Sequence, residues 1–216
     1  MNRYPIFFLF VLFGFSGLQS GCNPVPMNTI TDMEDSYDGI TKINLNGGAL
    51  EVSYTGKEDM ENVTIDAFVE ASDMDMEGVL VKQVGDELNV SFESGNNGSF
   101  FSSLNIEGYI SLSGPIDMAL NIHNSSGTME VSNVNNDEIV LKGSSGKVEG
   151  KDLASPNLRV KISSGKLELE NIEGSLNMEV SSGMGTLKGM KGDVKFSGSS
   201  GYVSFSDVDG LISGGM

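Results

Sequence analysis

Three carboxylates recur at a fixed interval in the second half of this 216-residue chain. Glu130, Glu149 and Glu168 stand 19 residues apart, and Thr186 and Ser204 continue the series at steps of 18. Carboxylates stacked at a strand spacing of about 5 Å repel one another unless something neutralises them. A divalent cation would do so, and the carboxylate groove of a polysaccharide-cleaving β-helix would exploit them. Lys147, Lys166 and Lys151 flank the row, and neutralisation by these lysines is the reading adopted. A second series holds Lys142 and Lys161, with Arg159 and Lys195 on the same strand face and His123 at its head. It would suit an acidic glycan or be a solvated surface. One histidine and one cysteine are too few for a zinc site. Calcium-binding glycine repeats, phosphate loops, dinucleotide fingerprints and a Gly-x-Ser-x-Gly elbow are absent from the sequence. No catalytic residue, metal or cofactor is therefore assigned, although carboxylates facing each other across a sheet keep glycan cleavage as the alternative.

These rows need an element that repeats with the same period, and one is present. Ser-Ser-Gly occurs at 125–127, 144–146, 163–165, 181–183 and 199–201, with successive glycines 19, 19, 18 and 18 residues apart. A period near twenty is that of a solenoid, in which each repeat is one coil stacked on its neighbour. Apolar residues fall two apart on each side of the glycine. Before it stand pairs such as Ile139 and Leu141, and after it Leu167 and Leu169. Of the 25 cells at offsets −7, −5, +2, +4 and +7 across five coils, 23 are apolar, against about ten expected from the chain's 38% apolar content. Spacing of two means strands with one face inward. The parity changes across the glycine, so the chain turns a corner at Ser-Ser-Gly, where glycine takes restricted backbone angles cheaply. Coils are expected to pair in parallel. The serines read as a corner ladder, their hydroxyls bonded to one another or to turn backbone.

Charge bounds the partners. The chain carries 30 acidic and 13 basic side chains and no tryptophan. Asp32 to Glu107 holds 17 carboxylates and 3 lysines, a net of −14; Gly108 to the end holds 13 against 9, a net of −4. Such a surface disfavours nucleic acid and bare anionic membrane, both of which want a basic patch.

The first 21 residues read as an export signal. Asn2-Arg3 precedes an almost wholly apolar run from Pro5 to Leu18, too short for a bilayer span of about 20 residues. It ends in Leu18-Gln19-Ser20-Gly21-Cys22. This resembles the lipobox of bacterial lipoproteins, with Gln19 where an aliphatic residue is usual. The resemblance implies cleavage before Cys22 and lipidation of that cysteine, which also removes an otherwise awkward lone thiol. Residues 22–38, with two prolines and few strong apolar side chains, read as a flexible tether. From residue 39 to 216 the chain reads as one β domain: an irregular acidic half (39–117) that caps the stack, then regular coils (118–216). Short strands are expected at Ile43–Leu45, Leu50–Tyr54, Val63–Val69, Val79–Val81, Leu88–Phe92 and Tyr109–Leu112, with a loop at Ser94–Ser103.

The order of these features carries a resemblance. A Gly-Gly turn into Leu50-Glu51-Val52 is followed by acidic-flanked strands and Gly85-Asp86-Glu87-Leu88-Asn89-Val90. Ser113-Gly114-Pro115 then leads into repeated Ser-Gly turns. This is similar to the putative-adhesin β-solenoid domains of bacterial envelope proteins, including those called auto-transporter adhesin heads. The resemblance covers Ile40 to the end. It implies an all-β, single-stranded β-solenoid at the cell envelope, as an outer-membrane lipoprotein on the surface or periplasmic side. It brings no catalytic residues. The expected role is an adhesin-like binding or scaffolding module, with the membrane engaged through the lipid on Cys22. A glycan, an envelope protein or a second copy of the chain is then the partner to look for.

Overall fold

Strand alternation decides what is buried. In the computed structural model of the chain, which describes residues 26–72, 76–93 and 105–215, every described element is a strand. The acidic half supplies β1 (Asn28–Tyr37), β2 (Lys42–Asn46), β3 (Glu51–Lys57), β4 (Val63–Ala71), β5 (Gly78–Val84), β6 (Glu87–Glu93) and β7 (Ile106–Pro115). The regular half supplies β8 (Ala119–Asn124), β9 (Thr128–Asn135), β10 (Ile139–Gly143), β11 (Lys147–Ile162) and β12 (Lys166–Val180). It ends with β13 (Met184–Lys191), β14 (Val194–Gly198), β15 (Tyr202–Asp209) and β16 (Ile212–Gly215).

The coils stack in parallel as the period requires. Leu120, Ile139, Leu158, Leu176 and Val194 pair in register, as do Met129, Val148, Leu167, Gly185 and Val203. Each coil has two long sides. On face I the stack runs β5, β6, β2, β8, β10, the second half of β11, the second half of β12, β14 and β16. On face II it runs β1, β4, β7, β3, β9, the first half of β11, the first half of β12, β13 and β15. Between the faces lies one apolar column in which Ile122, Leu141, Val160 and Met178 are at most 1% exposed. At the far end Phe196 and Phe205 fill it, ring centroids 5.3 Å apart.

The Ser-Ser-Gly corner is held differently from the expectation. Its ladder is made by backbone: Ser145 N–H donates to Ser125 O at 2.9 Å, Ser164 N–H to Ser144 O at 2.8 Å, and Lys166 N–H to Gly146 O at 2.9 Å. Among the described residues only the Ser199 hydroxyl donates within the ladder, to Ser181 O at 2.8 Å. Main-chain amides already supply two or three bonds per coil, so the ladder does not need the other hydroxyls. Glycine is required at the corner by crowding as much as by angle. A Cβ on Gly146 would sit 2.1 Å from Gly127 O.

A second corner follows six residues after each glycine. Asn133, Asp152, Asn171 and Asp207 have φ between 53° and 57°, and Gly189 has φ 71°. Asn, Asp and Gly are the residues that enter the left-handed region most readily. Beyond it Val134, Leu153, Ile172 and Met190 turn inward and make a short third side. The step from 19 to 18 residues is absorbed there, where the register between β11 and β12 shifts between Ser155 and Leu158.

The acidic half departs from chain order. The rung built from β2 and β3 lies between the rung of β6 and β7, which follows it in sequence, and the rung of β8 and β9. Asn124, 2% exposed, pins this junction by donating from Nδ2 to Leu50 O at 3.0 Å. Beyond β6 and β7 the pairing turns antiparallel: β5 closes face I, and β4 then β1 close face II. This is the expected capping half, and the strands expected within it are present.

One segment is corrected. Residues 28–37, expected as part of a tether, form β1 along nearly the whole of β4. Ile30, Met33 and Tyr37 pack against the core, and the Thr31 hydroxyl accepts from Val79 N–H at 3.0 Å. Its polar composition is that of an edge strand carrying charge to resist further pairing. The expected export signal, Cys22 and the whole of the loop at 94–103 lie outside the described residues. Among the described residues no helix is long and apolar enough to cross a membrane.

Candidate functional site

Outward side chains of neighbouring rungs stand in columns, because each parallel strand repeats the pleat of the one before it. The central column of face II reads Glu34, Asp66, Ser111, Ser53, Glu130, Glu149, Glu168, Thr186 and Ser204 along the stack. The glutamates picked out from sequence are therefore brought together, and the column extends into the cap. Ser53 donates to or accepts from Ser111 at 3.0 Å, and Tyr109 on the neighbouring column donates to Asp66 at 3.2 Å.

Lysines neutralise Glu149 and Glu168 in this column. Lys147 pairs with Glu149 on its own coil and with Glu168 of the next, the latter at 2.7 Å, and Lys166 pairs with Glu168 at 2.5 Å. Hydrogen bonds from Lys147 and Lys166 hold the Glu168 carboxyl below the usual carboxylate range. Glu168 is thus ionised at neutral pH and donates no proton. Lys151, also expected to flank the row, stands one column over beside Glu170. Glu170 is instead paired with Lys188 at 3.5 Å. Among the described residues no group of three or more metal-binding side chains converges.

Face I carries the second series. One column reads Asn89, Asn44, Asn121, Val140, Arg159, Asn177, Lys195 and Ser213, and its neighbour Ser91, Asn46, His123, Lys142, Lys161, Glu179 and Ser197. The asparagine end of this face is not legible in the repeat, because Asn44 and Asn89 lie outside the Ser-Ser-Gly coils. Asn44 Nδ2 donates to Asn89 Oδ1 at 3.1 Å, and Asn121 Nδ2 donates to Asn44 Oδ1 at 3.5 Å. Lys161 pairs with Glu179 at 2.7 Å, while Lys42 bridges Glu87 and Glu138 at 4.0 and 3.6 Å.

Two flat ladder faces on a stack of parallel coils, closed at one end by antiparallel strands, define a β-solenoid. The model of one family matches residues 40–209, and the chain belongs to it: the Toastrack family, a domain of unknown function (DUF4097). No curated protein matches the chain in sequence. Solved structures similar to it include a putative cell adhesion protein from Clostridium sporogenes, 14% identical, covering 85% of this chain and 99% of that one with a TM-score of 0.41. A putative adhesin from Bacteroides fragilis is 15% identical over 88% of this chain and 97% of that one, TM-score 0.36. A putative lipid binding protein from Parabacteroides distasonis is 14% identical over 87% and 96%, TM-score 0.33. At these scores the likeness carries no ligand across.

Proposed function

We propose that this chain is a lipid-anchored cell-envelope protein whose solenoid is a non-catalytic, adhesin-like binding or scaffolding module. The observation that carries the binding half is the pairing of Glu149 and Glu168 with Lys147 and Lys166. It leaves the regular coils with rigid side-chain ladders and removes Glu168 as a general acid, the role that glycan cleavage would ask of the row. The anchoring half rests on Leu18-Gln19-Ser20-Gly21-Cys22 behind a short apolar run.

Protease accessibility on intact cells, with and without Cys22→Ser, tests the reading. Digestion on whole cells, with release of the protein from the membrane in the Cys22→Ser variant, is the expected result. Protection until the envelope is broken would move the module to the periplasmic side and leave scaffolding as its role. A Cys22→Ser protein that stays membrane-bound would overturn the anchor. Glycan cleavage lost on Glu149→Gln/Glu168→Gln would overturn the non-catalytic reading.

A further inference from the structure

Face I concentrates positive charge that the ion pairs among the described residues compensate only in part. Lys142, Arg159 and Lys195 are exposed, and among the described residues the ion pairs of this face involve Lys42 and Lys161 but none of these three. In the two columns from Val140 to Lys195 and from Lys142 to Ser197 there are four cations and one carboxylate, a net of +3, in a chain of net −17. Lys142 stands in register beside Lys161, and like charges directly opposite one another disfavour a sheet. Glu179 relieves Lys161, whereas among the described residues no carboxylate pairs with Lys142. On face II, by contrast, Lys147 and Lys166 are paired with carboxylates.

The spacing is that of an extended ligand. Arg159 is in register with Asn177 and Asn177 with Lys195, so the two cations stand two rungs apart, about 10 Å at the usual strand separation. Lys142 lies one rung before Arg159 in the adjoining column. A shallow depression lined by Asn121, Lys142, Arg159, Lys161 and Asn177 meets a second lined by Arg159, Asn177 and Lys195; the carboxylates in these linings are Glu138 and Glu179, paired with Lys42 and Lys161, and Asp193. Sharing Arg159 and Asn177, they form one furrow along the stack.

The geometry points to this furrow as a binding site for a linear acidic polysaccharide, an inference that rests on the binding-module reading above. Its carboxylate or sulfate groups would meet Lys142, Arg159 and Lys195, and its hydroxyls Asn121 and Asn177. A small anion engages one of these cations; a chain with charge repeated along its length engages all three. The guanidinium fork of Arg159 matches planar or tetrahedral oxyanions in a two-pronged contact, and the amides offer both donors and acceptors to hydroxyls. Nucleic acid fits less well. The furrow has no aromatic side chain on which bases would stack, and the net charge of the chain opposes so dense a polyanion.

Fluorescence anisotropy on the full chain purified in detergent tests this with labelled polygalacturonate, dextran sulfate, neutral dextran and single-stranded oligodeoxythymidine. The expected result is binding of polygalacturonate or dextran sulfate that weakens as salt rises. The preference between the two tells whether carboxylate or sulfate is the better partner. Arg159→Glu/Lys195→Glu should raise Kd by roughly tenfold or more, and Lys188→Glu on face II by less than about twofold. If the double reversal lowers the melting temperature, Lys142→Gln/Lys195→Gln gives the same comparison with a milder change. Failure of both acidic polymers to bind, equal binding of neutral dextran, tighter binding of the oligonucleotide, or equal loss in Lys188→Glu each overturns the proposal. All arms use purified protein, so failure here leaves the anchoring reading, judged on cells, untouched.

Discussion

Lys147 bridges two coils: its ammonium pairs with Glu149 on its own rung and lies 2.7 Å from Glu168 on the next. Lys166 meets Glu168 from the other side at 2.5 Å. Within the carboxylate column of face II, Lys147 therefore ties its own coil to the next, while Lys166 neutralises its own coil.

This pairing has a pH signature. The Glu168 carboxyl is held below its usual range in the folded protein by Lys147 and Lys166. A depressed folded value stabilises the fold above the unfolded carboxyl's range, near pH 4.5, and that contribution disappears as pH falls through the folded value. Lys147→Met/Lys166→Met should return Glu168 toward an ordinary carboxyl, measured by carboxyl-carbon NMR titration. The Glu168 side chain is 35% exposed, so solvent screening limits each pair to less than about 1 kcal/mol. A Glu168 midpoint unchanged in the double variant would refute the pairing.

The core position of Leu167, fully buried, and of Val160, 1% exposed, sets a harsher test. Leu167→Ala should lower stability by about 2–5 kcal/mol. Val160→Asp or Leu167→Asp should abolish cooperative unfolding, because an unpaired buried charge is far more costly than a cavity. Thermal melts followed by circular dichroism read both. Parent-like melting of both aspartate variants would mean that the coil alignment is wrong.

Gly146 and Gly85 separate crowding from backbone angle. Both have positive φ, 92° and 64°, but a Cβ on Gly146 would meet Gly127 O at 2.1 Å, whereas Gly85 has nothing within 4 Å. Gly85→Ala should cost about 1–2 kcal/mol from the angle alone. Gly146→Ala should cost more, because the coil beneath must also move. Equal losses in chemical denaturation would remove close stacking as the reason for glycine at the corner.

Asn171 tests the second corner. With φ 55°, it donates from Nδ2 to Asp152 Oδ1 at 2.9 Å, one coil away. Asn171→Ala keeps the left-handed angle without the bond and should lose about 1–2 kcal/mol. Asn171→Gly relaxes the angle and should lose less. The order of the two variants in a urea titration decides the matter.

The regular half was legible because each rung repeats one local solution. Alternating apolar residues around Ser-Ser-Gly set strand, corner and parity, and the 19-residue step alone aligns Glu130, Glu149 and Glu168. The second corner was equally present, as Asn133, Asp152, Asn171, Gly189 and Asp207 at a constant offset of six residues from the glycine. It is hidden in the sequence because polar residues in a strand look like its solvent face. The acidic half yielded its strands but not their partners. Nothing local in Lys42–Asn46 states that its neighbours are Glu87–Ser91 and Ala119–His123. β1 reads as a tether in sequence because Asp32, Glu34 and Asp35, which guard an edge strand, also give a linker its composition.

The displaced rung of β2 and β3 gives the molecule a direction of growth. Both of its neighbours are made of chain that follows it, and Asn44 meets Asn121 across 77 residues. Closing so long a loop is the slow entropic step of folding, whereas each later coil needs only 18 or 19 residues to reach a partner already laid down. A chain emerging amino-terminus first can pair β1 with β4 and β2 with β6 early, but must hold the other edges of β2 and β3 open until β8 and β9 have arrived. It then lengthens coil by coil toward the carboxyl end. Pulse-labelled hydrogen exchange during refolding should find protection at Leu45 and Ile122 arising together, ahead of Leu187; protection of Leu187 first would reverse the direction.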